Sequence, residues 1–164
     1  MTDLSLDQIL GVLSRYEVEF VVVGGIAAIL HGSSVTTQDL DVVYQSSPEN
    51  LERLLKALRE LEAEYDDPAG RRFEPDLDRL QSLRIHLLRT KHGRLDLLRA
   101  VGKGQDFEDL IARSSAFQVG EQQIRVLDLP ALIEVKEQTN RPKDRHQLLF
   151  LRQLLAEIQR SESE

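Results

Sequence analysis

The chain reads as an α+β fold: a mixed, twisted β-sheet flanked by helices and closed by a helical C-terminal end. Three observations carry that expectation. Short apolar runs rich in β-branched residues, bounded by turn residues, mark strands. Hydrophobic repeats of helical period alternate with them over the first half of the chain. From Leu129 onward only helical patterns remain.

The elements follow in order. Leu6, Ile9, Leu10 and Leu13 recur at helical spacing, so residues 5–15 form an amphipathic helix that Asp3 or Ser5 can cap. Glu19-Phe20-Val21-Val22-Val23 is apolar almost throughout, the mark of a strand buried on both faces. Gly24-Gly25 ends it, and Ile26 to Leu30 is a short helix closed by His31-Gly32. After a polar loop, Asp39 to Tyr44 is a second strand. Pro48 to Glu64 carries Leu51, Leu54, Leu55, Leu58 and Leu61 on one helical face, with Ser47 placed to cap it. Tyr65 to Asp78 is turn-rich. Leu83 to Leu88 and Arg94 to Leu98 are strands joined by a Thr90-Lys91-His92-Gly93 turn. A short helix over 106–113 and a small hairpin around Gly120 lead to helices over 129–138 and 143–159, parted by Asn140-Arg141-Pro142.

Composition bounds the function. At 164 residues the chain suits one domain, expected over 1–160, with Ser161 to Glu164 as a disordered tail. A hydrophobic fraction of 41% beside 30% charged residues is that of a globular protein. With no cysteine, disulfides, zinc-thiolate sites and thiol nucleophiles are excluded, and a reducing cytoplasm is the expected setting. No basic region followed by an apolar run opens the chain, and the apolar stretch Phe20 to Leu30 is too short to span a bilayer. The net charge of −7 argues against broad non-specific binding to nucleic acid. The charge is uneven, however: Arg71 to Lys103 holds nine Lys or Arg against four Asp or Glu. That segment permits a local phosphate-bearing partner, although a solvated charged face explains it as well.

Asp39-Leu40-Asp41 places two carboxylates on one face of a strand, while Leu40 and Val42 face the core. Two such carboxylates repel and raise each other's pKa, and a divalent cation relieves that repulsion. The spacing alone is unspecific, because Asp76-Leu77-Asp78 repeats it in a turn-like stretch that reads as solvated surface or a helix start. Context separates the two. A buried strand ending in Gly24-Gly25 and running into a helix lets backbone N–H groups approach a phosphate. Asp96, between Leu95 and Leu97, needs a partner in an otherwise apolar strand: a shared metal, or a salt bridge with Arg94 or Arg84.

Val21 to Gly32 followed by Thr36-Thr37-Gln38-Asp39-Leu40-Asp41 resembles the nucleotidyltransferases of the DNA polymerase β superfamily. Their pattern is an apolar strand, Gly-Gly or Gly-Ser, a short helix, Asp-x-Asp on the next strand and a third carboxylate later, where Asp96 stands. The small nucleotidyltransferases related to abortive-infection toxins are closest in look, sharing the His-Gly pair, the Thr before Asp-x-Asp and a turn like Arg141-Pro142-Lys143-Asp144. The resemblance covers residues 5–155 and implies a mixed sheet of the nucleotidyltransferase type. It implies that Gly24 and Gly25 hold triphosphate, and that Asp39, Asp41 and Asp96 bind Mg²⁺ or Mn²⁺. Asp96 would help activate the attacking hydroxyl, and Lys136 or Lys143 would neutralise phosphate charge. The implied reaction moves a nucleoside monophosphate onto a hydroxyl of RNA, protein or a small molecule, with a role in a toxin–antitoxin pair and a partner protein. Two positions depart from the pattern: Val35, where relatives usually carry Arg, and Gln147, where an acidic residue is frequent. They leave open the alternative of a non-catalytic module that binds a partner protein or a nucleotide.

Overall fold

The computed structural model describes residues 4–34, 36–139 and 141–163; Asp3 and Val35 lie outside them. Helix α1 (Leu6–Arg15) buries Ile9, Leu10, Val12 and Leu13. Ser5 takes its N-cap position without a side-chain cap bond, and its backbone N–H donates instead to the His92 carbonyl at 2.7 Å. Strand β1 (Phe20–Val23) is buried at every position, as its continuous apolarity predicts. It runs straight into α2 (Gly24–Leu30).

Strand β2 (Asp39–Tyr44) pairs antiparallel with β1, placing Val23 opposite Asp41. Helix α3 (Pro48–Glu60) starts where expected, with the Ser47 hydroxyl accepting from the Asn50 N–H. It ends four residues earlier than its hydrophobic pattern predicts. Glu62 takes a left-handed φ of 54°, and Ala63 N–H bonds back to Leu58 O at 3.0 Å. That closure buries Leu61 and Ala63 outside the helix and frees Glu64–Tyr65 to form the edge strand β3.

Helix α4 (Leu77–Ser82) is followed by β4 (Ile85–Thr90) and β5 (Gly93–Leu98), a hairpin turned by Lys91-His92. Two short strands that no sequence pattern announces, β6 (Ala100–Val101) and β7 (Gln105–Asp106), close a small antiparallel turn before α5 (Phe107–Ile111). The expected hairpin around Gly120 exists but is longer, β8 (Ser114–Val119) and β9 (Gln122–Leu127). It is also no satellite, since β9 pairs parallel with β1 and joins the main sheet. Helices α6 (Leu129–Thr139) and α7 (Pro142–Glu162) complete the chain, and α7 continues into the tail expected to be disordered because no Gly or Pro interrupts it.

The sheet has seven strands in the order β3-β4-β5-β2-β1-β9-β8 and is mixed. Strands β2 and β5 run parallel, with Leu40 opposite Leu95, Asp41 opposite Asp96 and Val42 opposite Leu97. Leu40, Val42, Leu95, Leu97 and Leu88 share one face and are fully buried there. Asp39, Asp41, Arg94 and Asp96 share the other.

Strand β4 mixes polar and apolar residues on both faces. His86, Leu88 and Thr90 point into the core, while Ile85, Leu87 and Arg89 are exposed. His86 is held in the core by the hydroxyls of Tyr65 (2.7 Å to Nδ1) and Tyr44 (3.3 Å to Nε2). No described helix is long and apolar enough to cross a membrane.

Candidate active site

The site grows out of the place where β1 becomes α2. Gly24 has φ of +69°, and a Cβ there would collide with the Asp41 carboxylate. A Cβ on Gly25 would lie 3.1 Å from that of Thr37. Both glycines are therefore demanded by close approach: Asp41 lies over the first and the Thr37 loop over the second.

The register of β2 on β5 sets Asp41 and Asp96 side by side. The two carboxyl groups are near enough for each to shift the other's titration. Burial raises the pKa of Asp41 well above the ordinary carboxylate range, and repulsion from Asp96 and then Asp39 adds to it, while the Lys136 charge pulls the other way. Burial likewise raises Asp96. Its Oδ1 is buried with no hydrogen-bond partner.

Asp39 lines the same cleft but is drawn aside by Arg94, whose Nε lies 3.2 Å from its Oδ1. Arg94 also holds Asp66 at 2.7 Å, so the arginine expected as a salt-bridge partner of Asp96 serves two other carboxylates. Among the described residues no group of three His, Cys, Asp or Glu side chains closes into a metal site.

The remaining donors nonetheless suit a hard divalent cation. Asp41 and Asp96 are adjacent carboxylates forced toward their neutral form, and an orphaned buried oxygen lies between core and cleft. Mg²⁺ is commonly held by one or two carboxylates plus phosphate oxygens.

The opposite wall is cationic. Lys136, on α6, donates to Gln147 Oε1 at 2.6 Å and stands 3.6 Å from Asp144 Oδ1. Asp144, in the first turn of α7, is 1% exposed and also accepts from Arg141 Nε (2.8 Å) and Thr139 Oγ1 (2.7 Å). Burial works to raise the Asp144 carboxyl, but these bonds and the Lys136 charge outweigh it and hold it well below the usual range. Asp144 also accepts from the Arg141 backbone N–H, the helix-cap role its position suggests. Lys143 falls in the first turn of α7, and its side chain lies outside the described part.

A cleft of about 760 Å³ joins these walls. Gly24, Gly25, Asp39, Asp41, Asp96 and Lys136 all line it. Sequence reasoning missed Arg141, Thr139 and the apolar contributors Ile85 and Leu98, which line it as well. Arg141 stood in the Arg141-Pro142-Lys143-Asp144 turn that carries the resemblance, but only as part of a turn and not as a site residue. The larger part of the basic segment 71–103 lies elsewhere.

Paired carboxylates on neighbouring parallel strands, facing a diglycine turn, define a small protein of the nucleotidyltransferase fold. Solved structures share that fold over nearly the whole chain. One is a protein of Thermotoga maritima described as a nucleotidyltransferase: 17% identical, covering 93% of this chain and 91% of its own, TM-score 0.56. Another is the lincosamide antibiotic adenylyltransferase LnuA in its lincomycin-bound form: 13% identical, covering 93% of this chain and 99% of its own, TM-score 0.63. The family model of aminoglycoside-2''-adenylyltransferases matches residues 5–151, and the chain belongs to that family. It is accordingly a nucleotidyltransferase enzyme. No individually curated protein sequence matches it.

Proposed function

We propose that the chain transfers a nucleoside monophosphate, AMP in the first instance, from a nucleoside triphosphate to a hydroxyl group of a small molecule. The observation that carries this reading is the in-register meeting of Asp41 and Asp96 beside the diglycine turn, with one Asp96 oxygen lacking a partner. Family membership favours a small-molecule acceptor over RNA or protein, and it supplies no support for a toxin–antitoxin role.

In this reading the acceptor oxygen forms a bond to the α-phosphorus, the bond from that phosphorus to the bridging oxygen breaks, and pyrophosphate leaves. In this reading Asp96, raised in pKa by burial, takes the hydroxyl proton. The N–H groups of the Gly24-Gly25 turn approach the triphosphate without a side chain between. Lys136 and Arg141, both anchored by Asp144, offset its negative charge from the opposite wall. Asp41 and Asp96, with Asp39 once released from Arg94, would hold a divalent cation. Such a cation, Mg²⁺ or Mn²⁺, supplies charge neutralisation and Lewis-acid polarisation of the phosphate when bound.

The test is pyrophosphate release from ATP with Mg²⁺ and a panel of hydroxylated acceptors. Asp96→Asn, nearly isosteric, is expected to lower kcat at least about 100-fold, the scale of a lost general base, with little change in thermal stability. ATP that neither binds nor yields pyrophosphate with any acceptor defeats the reading.

A further inference from the structure

The α6–α7 wall of the cleft holds two cations with one carboxylate. Pro142 opens α7, so Asp144 falls in its first turn and Gln147 lies three residues further along the same face. Both meet Lys136 on α6, whose Nζ donates to Gln147 Oε1 at 2.6 Å and stands 3.6 Å from Asp144 Oδ1. Asp144 is engaged by other groups at shorter range. Its oxygens accept from the Arg141 guanidinium at 2.8 and 3.3 Å and from the Thr139 hydroxyl at 2.7 Å. Of these two contacts of Lys136 with α7, the shorter is thus to a neutral amide oxygen, and the carboxylate beyond it is shared with a second cation.

That balance governs what the cleft can take. Among the described residues lining it, the cations are Lys136 and Arg141, and the carboxylates are Asp39, Asp41, Asp96 and Asp144. A polyanion therefore enters a cleft in which acids outnumber bases, and the α6–α7 wall is where positive charge is in excess. The Lys136 side chain is only 17% exposed, so water screens its charge poorly. The group beside it then decides how much of that charge reaches a ligand.

A glutamate at position 147, almost the same shape, would reach the same ammonium. It would close an ion pair and cancel the excess. The amide of Gln147 accepts the hydrogen bond and leaves the charge intact. Position 147 is also one of the two at which the sequence departs from the pattern it resembles.

We infer that Gln147 is a positioning residue for the nucleotide: its amide holds the Lys136 ammonium at the cleft without neutralising it, and so keeps positive charge on this wall for the triphosphate. Gln147 acts through Lys136 rather than by touching the nucleotide. The inference rests on the nucleotidyl-transfer reading and deepens it, since the departure at 147 then strengthens nucleotide binding instead of marking a lapsed site.

The experiment measures the ATP dissociation constant by calorimetry in excess Mg²⁺, and the displacement of bound ATP by tripolyphosphate and by adenosine. It compares the unmodified protein with Gln147→Glu and Gln147→Met. Gln147→Glu is expected to weaken ATP and tripolyphosphate at least about tenfold each, to leave adenosine unchanged and to melt no lower than wild type. Gln147→Met loses the acceptor but keeps the charge balance, and is expected to weaken ATP only about threefold. A purely structural role predicts the reverse order, because methionine abolishes the bond that glutamate retains. An ATP dissociation constant unchanged in Gln147→Glu overturns the inference. So do equal losses for ATP and adenosine, a larger loss in Gln147→Met than in Gln147→Glu, or a Gln147→Glu protein that melts well below wild type. In each of these cases ATP binding by the unmodified protein leaves the nucleotidyl-transfer reading standing, whereas an unmodified protein that binds no ATP removes both.

Discussion

His86 sits with no exposure between two tyrosine hydroxyls, which a neutral imidazole satisfies as donor at one ring nitrogen and acceptor at the other. Burial pushes its pKa from 6.5 down to about 4. As pH falls through the ordinary histidine range, the unfolded chain gains a proton that the folded chain refuses. Stability due to this group is therefore complete above pH 6.5 and drains away as pH drops toward about 4. Asp41 works with the opposite sign, because its raised carboxyl makes the folded state the better proton acceptor, so only a difference isolates the histidine. The gap in urea-unfolding free energy between wild type and His86→Gln is expected to narrow by about 2 kcal/mol between about pH 7.5 and about pH 4.5. A gap that stays constant would mean the imidazole is already solvated.

The two Asp-x-Asp pairs show how the same letters take different meanings from the elements that carry them. Asp39 and Asp41 ride a strand and share a face; Asp76 caps a helix, accepting from the Arg79 N–H at 2.8 Å and from its guanidinium at 2.9 Å. Asp76→Ala is expected to cost about 1 kcal/mol in chemical denaturation, Asp78→Ala a few tenths, and neither to alter the KM for ATP. Equal losses would remove the capping assignment. Strands and helices with strong periodicity, β1, β2, α3 and β5, were readable from residue order because local pattern and burial agree. The end of α3 was not, since Leu61 and Ala63 extend its apolar stripe although they are buried in the turn that follows. The place of β9 beside β1 depends on a pairing across a hundred residues that no local pattern encodes. In the site, the diglycine and Asp39, Asp41 and Asp96 stood out as acidic or glycine positions within apolar runs. The pairing of Asp39 with Arg94 did not, because Arg94 was weighed in the sequence only as a partner of Asp96, and the β2–β5 register that sets it opposite Asp39 is not a local pattern.

The whole molecule divides its chemistry between two stretches of chain. Gly24, Gly25, Asp39 and Asp41 precede the irregular segment between β3 and α4, and Asp96, Lys136, Arg141 and Asp144 follow it. That segment exposes Arg72. Brief trypsin treatment is expected to cut there first, as exposed loops are the preferred sites of nicking, and the pieces should co-elute in gel filtration with pyrophosphate release preserved. Immediate separation with loss of activity would refute this. Three strand pairings join the pieces, β3 on β4, β2 on β5 and β1 on β9, and the five-residue β2–β5 ladder places Asp41 against Asp96 across the cut. On the proposed reading, catalytic competence belongs to neither half. The protein could be expressed as two inert polypeptides whose reunion switches on an enzyme, each strand serving as the other's docking rail and each carboxylate reporting that its counterpart has arrived.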